Sequence, residues 1–103
     1  MARRLATFDV VHASDLLEAE LRSACRRDQV AVDTRLFDEL EVVFPPRTLG
    51  PEIMRVLEAG YVRGADCWHL ATALYLAPDP SELTFITLDE RQGAVAKALG
   101  FAT

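Results

Sequence analysis

Apolar residues fall along this chain in short blocks, some continuous as in buried strands and some at helical spacing, with Pro and Gly between them. Phe8 to Ala13, with adjacent Val10 and Val11, reads as a short buried strand. Ser14 and Asp15 then suit a helix start, the hydroxyl as a cap and the carboxylate against the positive end of the dipole, and a helix is expected from about Ser14 to Asp28. Thr34 to Glu39 predicts a helical turn or short helix, and Leu40 to Phe44 predicts a strand that Pro45-Pro46 ends. Gly50-Pro51 opens a short amphipathic helix in which Ile53, Met54 and Leu57 hold helical spacing, with Gly60 as its C-terminal cap.

Ala65 to Ala77 is rich in helix formers and apolar on nearly every face, which predicts a deeply buried helix. Pro78-Asp79-Pro80 ends it. Leu83 to Leu88 is a continuous strand-like run, and Asp89 to Leu99 predicts a last helix capped by Gly100, with Phe101 behind it. Helices alternating with near-continuous apolar strands imply an α/β fold, a parallel sheet with helices on its faces.

A length of 103 residues fits a single domain with a modest core. Hydrophobic residues at 50% and charged residues at 26% are ordinary for a globular chain and exclude the disordered and collagen-like classes. The net charge of −5 supplies no global positive field, so nucleic-acid work would need bound cations or a local basic patch. Cys25 and Cys67 lie in helix-like segments without disulfide or zinc spacing and read as reduced packing thiols of a cytoplasmic protein. No apolar segment follows Arg3-Arg4, and the most apolar window, Cys67 to Ala77, is too short to span a bilayer; neither secretion nor membrane insertion is expected.

Three carboxylates stand out. With about 100° per residue, the first helix carries Leu16, Leu17, Leu21 and Ala24 on one side, and Glu20 falls in the middle of that side. A carboxylate there either faces a cleft, where it needs a partner, a proton or a metal, or reaches solvent at the edge. Asp66 stands in the first turn of the apolar helix, as a dipole carboxylate or a ligand. Asp89 follows the Leu83 to Leu88 run, as an N-cap in a capping box with Gln92 or as a ligand. In parallel α/β sheets, strand carboxyl ends and the following helix N-termini share one mouth where ligands bind, so Asp66, Asp89 and Glu20 can converge there. Carboxylates without His or Cys suit hard ions such as Mg²⁺ or Mn²⁺. His69, one turn after Asp66, is either a hydrogen-bonded core histidine or a member of the same site.

These residues resemble a known family. Ala65-Asp66, followed by His69-Leu70-Ala71-Thr72-Ala73, resembles the central motif of PIN domains of the VapC toxin type. Phe85-Ile86-Thr87-Leu88-Asp89-Glu90-Arg91 and Leu99-Gly100-Phe101 resemble that family's last strand, its Thr-x-Asp end and its closing helix. Ala13-Ser14-x-Leu16 with Glu20-Leu21 resembles its second acidic motif. The resemblance implies a three-layer fold with a mostly parallel sheet and helices on both faces. It also implies an endoribonuclease in which Glu20, Asp66 and Asp89 hold Mg²⁺ or Mn²⁺ against an RNA substrate, partnered by an antitoxin protein and assembled as a homodimer.

The family opens with a strand bearing an Asp in an Asp-Thr/Ser-x-Ala motif, and nothing before Phe8 resembles it. The expectation is therefore one PIN-like domain over 1–103, lacking its first strand and following helices. Two functions follow: a ribonuclease completed by a further segment, or an inactive PIN fragment that binds a protein partner or dimerises.

Overall fold

The computed structural model describes residues 10–103. The fold is mixed α/β, with five α-helices and one two-stranded parallel sheet among the described residues. Two compact units divide the chain, one ending at Phe44 and the other running from Pro45 to Thr103.

The N-terminal unit holds a strand–helix–helix–strand arrangement. Strands β1 (His12–Ser14) and β2 (Glu41–Val43) pair in parallel, with His12 opposite Glu41, Ala13 opposite Val42 and Ser14 opposite Val43. Parallel strands need a crossover, and helices α1 (Leu17–Arg27) and α2 (Arg35–Asp38) supply it. The expected strand over Phe8 to Ala13 is shorter and shifted; Phe8 and Asp9 lie outside the described residues, and Val10 is exposed. Ser14 is the last strand residue rather than the helix start. Its hydroxyl accepts the Leu16 N–H at 3.2 Å, and that local turn delays the helix to Leu17.

Helix α1 ends with Gln29 in the left-handed region, φ 57°. The Gln29 N–H donates to the Arg26 carbonyl and the Val30 N–H to the Cys25 carbonyl, which satisfies the last turn. The Arg22 guanidinium lies 5.1 Å from the centre of the Phe37 ring and links α1 to α2, while Glu18 accepts its Nε–H at 2.8 Å.

In the C-terminal unit, α3 (Gly50–Ala59) packs on both α4 (Gly64–Leu76) and α5 (Glu90–Leu99). Leu49, Val56, Val62, Leu70, Ala71, Leu74, Val95, Ala96 and Phe101 form its core. Helix α4 buries Cys67 and the whole run Leu70 to Leu74, as its all-round apolar sequence predicts. Gly60 is the C-terminal cap of α3, as expected, with its N–H on the Val56 carbonyl, and its backbone is extended, φ 167°, so no left-handed conformation calls for glycine there. Close approach requires the glycine instead, since a Cβ there would stand 2.9 Å from Val95 Cγ2. Gly100 does take the left-handed cap, φ 108°, with its N–H on the Lys97 carbonyl and the Phe101 N–H on the Ala96 carbonyl.

The strand expected over Leu83 to Leu88 is corrected. After a 3-10 turn at Pro80–Glu82, only Thr84 forms a bridge, parallel to Ala102. The Phe85 N–H donates to the Ala102 carbonyl at 2.7 Å, and the Ala102 N–H to the Leu83 carbonyl at 3.3 Å. Past Phe85 no ladder bond continues the run among the described residues, and Leu88 is 87% exposed.

Candidate carboxylate site

Asp66 and Asp89 enter the C-terminal unit at the N-terminal ends of two helices. Asp66 is half-buried in the first turn of α4, which begins after Arg63 in extended conformation and without a side-chain cap. Asp89 is the N-cap of α5, and its Oδ1 accepts the Gln92 N–H at 2.8 Å. Capping uses one carboxylate oxygen of a group with about four acceptor positions, so the N-cap reading of Asp89 leaves capacity for a cation.

Gln92 joins the two. Its Nε2–H donates to the backbone carbonyl of Asp66 at 3.3 Å, and its Oε1 accepts the Thr87 hydroxyl at 2.7 Å. That hydroxyl in turn accepts the Asp89 N–H at 3.0 Å. The segment Thr87 to Gln92 is thereby fastened to the first turn of α4. The sequence marks Gln92 only as the far residue of a capping box. A finer signal was available, since Gln92 begins the set Gln92, Val95, Ala96, Leu99 at i, i+3, i+4, i+7, where only apolar residues are expected.

Glu20 stands apart from this pair in the sequence and belongs to the N-terminal unit. It is exposed in the first turn of α1, so of its two readings the solvent-reaching one holds. No residue of α1 is buried; Leu17, Leu21 and Ala24 are half-buried. His69 is half-buried on α4 and has a partner.

Asp66 and Asp89 offer oxygen donors alone. That set fits Mg²⁺, which is commonly held by one or two carboxylates and completes its octahedron with water and substrate phosphate. Among the described residues, no group of three or more His, Cys, Asp or Glu side chains could hold a metal ion. Among the described residues, four arginines are tied to neighbouring carboxylates: Arg22 to Glu18, Arg27 to Asp28, Arg35 to Asp33 and Arg47 to Glu52. Arg63, exposed and three residues before Asp66, is the cation nearest to it in sequence.

An open apolar groove of about 330 Å³ lies on the same unit, lined by Ile53, Leu57, Tyr61, Val62, Cys67 and Trp68. Tyr61 is 69% exposed and Leu57 44%. Burial pushes the Cys67 thiol up from its ordinary pKa, so it stays protonated at neutral pH, in keeping with a packing role. Cys25 and Cys67 are both free thiols.

Among the described residues no helix is long and apolar enough to cross a membrane. Compared with protein-family models, curated proteins and solved structures, the chain matches none.

Proposed function

We propose that this chain is a Mg²⁺- or Mn²⁺-dependent endoribonuclease of the PIN type, working in the cytoplasm as a toxin held by an antitoxin protein and assembled as a homodimer. The fold in this reading is the three-layer PIN architecture. The observation that supports it is the Gln92 link, which fastens the Thr87-x-Asp89 segment to the turn that carries Asp66. Those are the two motifs on which the resemblance chiefly rests.

Asp66 and Asp89 provide the oxygen donors. A divalent cation bound there would supply an activated water and stabilise charge developing on a phosphodiester. The half-buried setting of Asp66 strengthens its attraction for a cation over that of a fully solvated carboxylate. Arg63 offers a guanidinium to a backbone phosphate. The net charge of −5 is compatible with an RNA substrate because the cations neutralise phosphate locally.

The test is Mn²⁺-dependent cleavage of RNA by the chain, with Asp66→Asn as control. Loss of cleavage in the variant is expected, and equal cleavage by both would sink the assignment. A second reading, an inactive PIN fragment that binds a protein partner, is favoured by the exposed apolar side chains of Tyr61 and Leu57 lining the groove. Absence of cleavage together with concentration-dependent self-association in light scattering would select it.

A further inference from the structure

We propose that Gln92 is the positioning residue of the Asp66–Asp89 pair, setting the separation of the two carboxylates through its own buried side chain. The inference deepens the metal-site reading above and rests on it.

Gln92 is 7% exposed, and both ends of its amide are used. Burying an amide at a helix position where Leu would pack is unfavourable unless its hydrogen bonds are made, so the bonds account for the residue. Their direction is self-consistent. The Thr87 hydroxyl has one proton and gives it to Gln92 Oε1, and its lone pair receives the Asp89 N–H. The Asp66 carbonyl can only accept, so it requires the amide's NH₂ end, which is the end that Gln92 presents.

A capping-box glutamine ordinarily turns back to the N-cap residue's own N–H. Here the Thr87 hydroxyl already takes the Asp89 N–H, and the side chain of Gln92 reaches across to α4 instead. Asp89 is held at both its backbone and its carboxylate by this arrangement, and Asp66 is held at its carbonyl. Outer partners that orient ligands in this way commonly contribute a factor of about 10–100 in metal affinity.

The experiment is Mn²⁺ binding to the 103-residue chain, read from loss of the free-Mn²⁺ EPR signal, alongside thermal melts of each protein. Gln92→Leu keeps the packing and removes both amide bonds. Thr87→Val keeps Gln92 but releases its Oε1, and it carries the test should Gln92→Leu fail to fold. The expected result is abolition of binding by Asp66→Asn and an affinity about 10–100-fold weaker in Gln92→Leu or Thr87→Val at temperatures where the variant is folded. If Asp66→Asn abolishes binding while the other two variants melt lower but bind as tightly as the parent, Gln92 is merely structural and the positioning role is overturned. If Asp66→Asn binds Mn²⁺ as the parent does, or the parent binds none, the carboxylate site itself fails and the positioning role fails with it.

Discussion

Gly60 and Val95 meet so closely that the end of α3 can approach α5 only because residue 60 has no side chain: a Cβ would stand 2.9 Å from Val95 Cγ2. Val95 is buried and β-branched, and its methyl has little freedom to move away. Gly60→Ala is expected to destabilise the C-terminal unit by about 1–3 kcal/mol through overpacking, since its extended backbone suits alanine. Val95→Ala in the same chain should recover part of that loss, with a coupling of about 0.5–3 kcal/mol in urea titrations of the four proteins. Strictly additive effects would show that the two residues do not conflict.

The helices were legible in the sequence because apolar spacing and punctuation agreed. Gly50-Pro51, the all-round apolar run to Leu76, and Gly100 each mark a real boundary. The strands were less so. Leu83 to Leu88 has the composition of a buried strand, yet a strand exists only where a partner offers its backbone, and one bridge at Thr84 is what Ala102 provides. Ser14 was misplaced for a different reason. A serine can cap a helix or close a turn with the same hydroxyl, and here it accepts from Leu16, two residues on.

Thr72 buries a hydroxyl that has no hydrogen-bond partner, in the middle of the most buried helix. An unsatisfied polar atom of this kind costs about 1–3 kcal/mol. Valine has the same shape and the same χ1 restriction without the oxygen. Thr72→Val is therefore expected to stabilise the chain by about 1 kcal/mol and raise its Tm by several degrees, measured by calorimetry. A lower Tm in the valine variant would contradict this account.

Two helices end alike but with different residues in the left-handed position, Gln29 after α1 and Gly100 after α5. A side chain in that region is opposed by its own carbonyl, at about 1 kcal/mol, whereas glycine has no such conflict. Gln29→Gly should stabilise by about 0.5–1 kcal/mol, and Gly100→Ala should destabilise by about 1 kcal/mol. The nearest atom to a Cβ at Gly100 is Pro80 Cβ at 3.6 Å, an ordinary contact, so the second effect would be conformational rather than steric. Chemical denaturation of both variants gives the two signs, and like signs would refute the shared explanation.

The candidate site was legible at its ends and not in its middle. Asp66 and Asp89 announce themselves as carboxylates at helix starts, whereas the residue that joins them looks like an ordinary capping partner. Spacing along one helix cannot show that a side chain crosses to another. Spacing alone left Glu20 two readings, because a position in the middle of an apolar stripe is buried only where something covers the stripe; α1 buries none of its residues, and Glu20 is exposed.

The Arg47–Glu52 pair gives the acid limb of stability a specific origin. Arg47 holds Glu52 in a two-pronged contact, Nη1 to Oε1 at 3.1 Å and Nη2 to Oε2 at 2.6 Å, and the same guanidinium lies 5.4 Å from the centre of the Tyr75 ring on α4. Hydrogen bonding to Arg47 is the main cause that holds the Glu52 carboxyl below its ordinary value. A carboxylate with a depressed folded-state pKa binds protons more readily when unfolded, so its contribution is complete above the unfolded value of about 4.3 and is lost as pH falls through the folded value. Stability should accordingly decline below about pH 4–5, and Glu52→Gln should flatten that part of the decline while lowering stability at neutral pH. Urea midpoints of both proteins between about pH 3 and 7 measure it. A variant whose midpoint falls with acid as steeply as the parent's would show that the pair does not link α3 to the acid response.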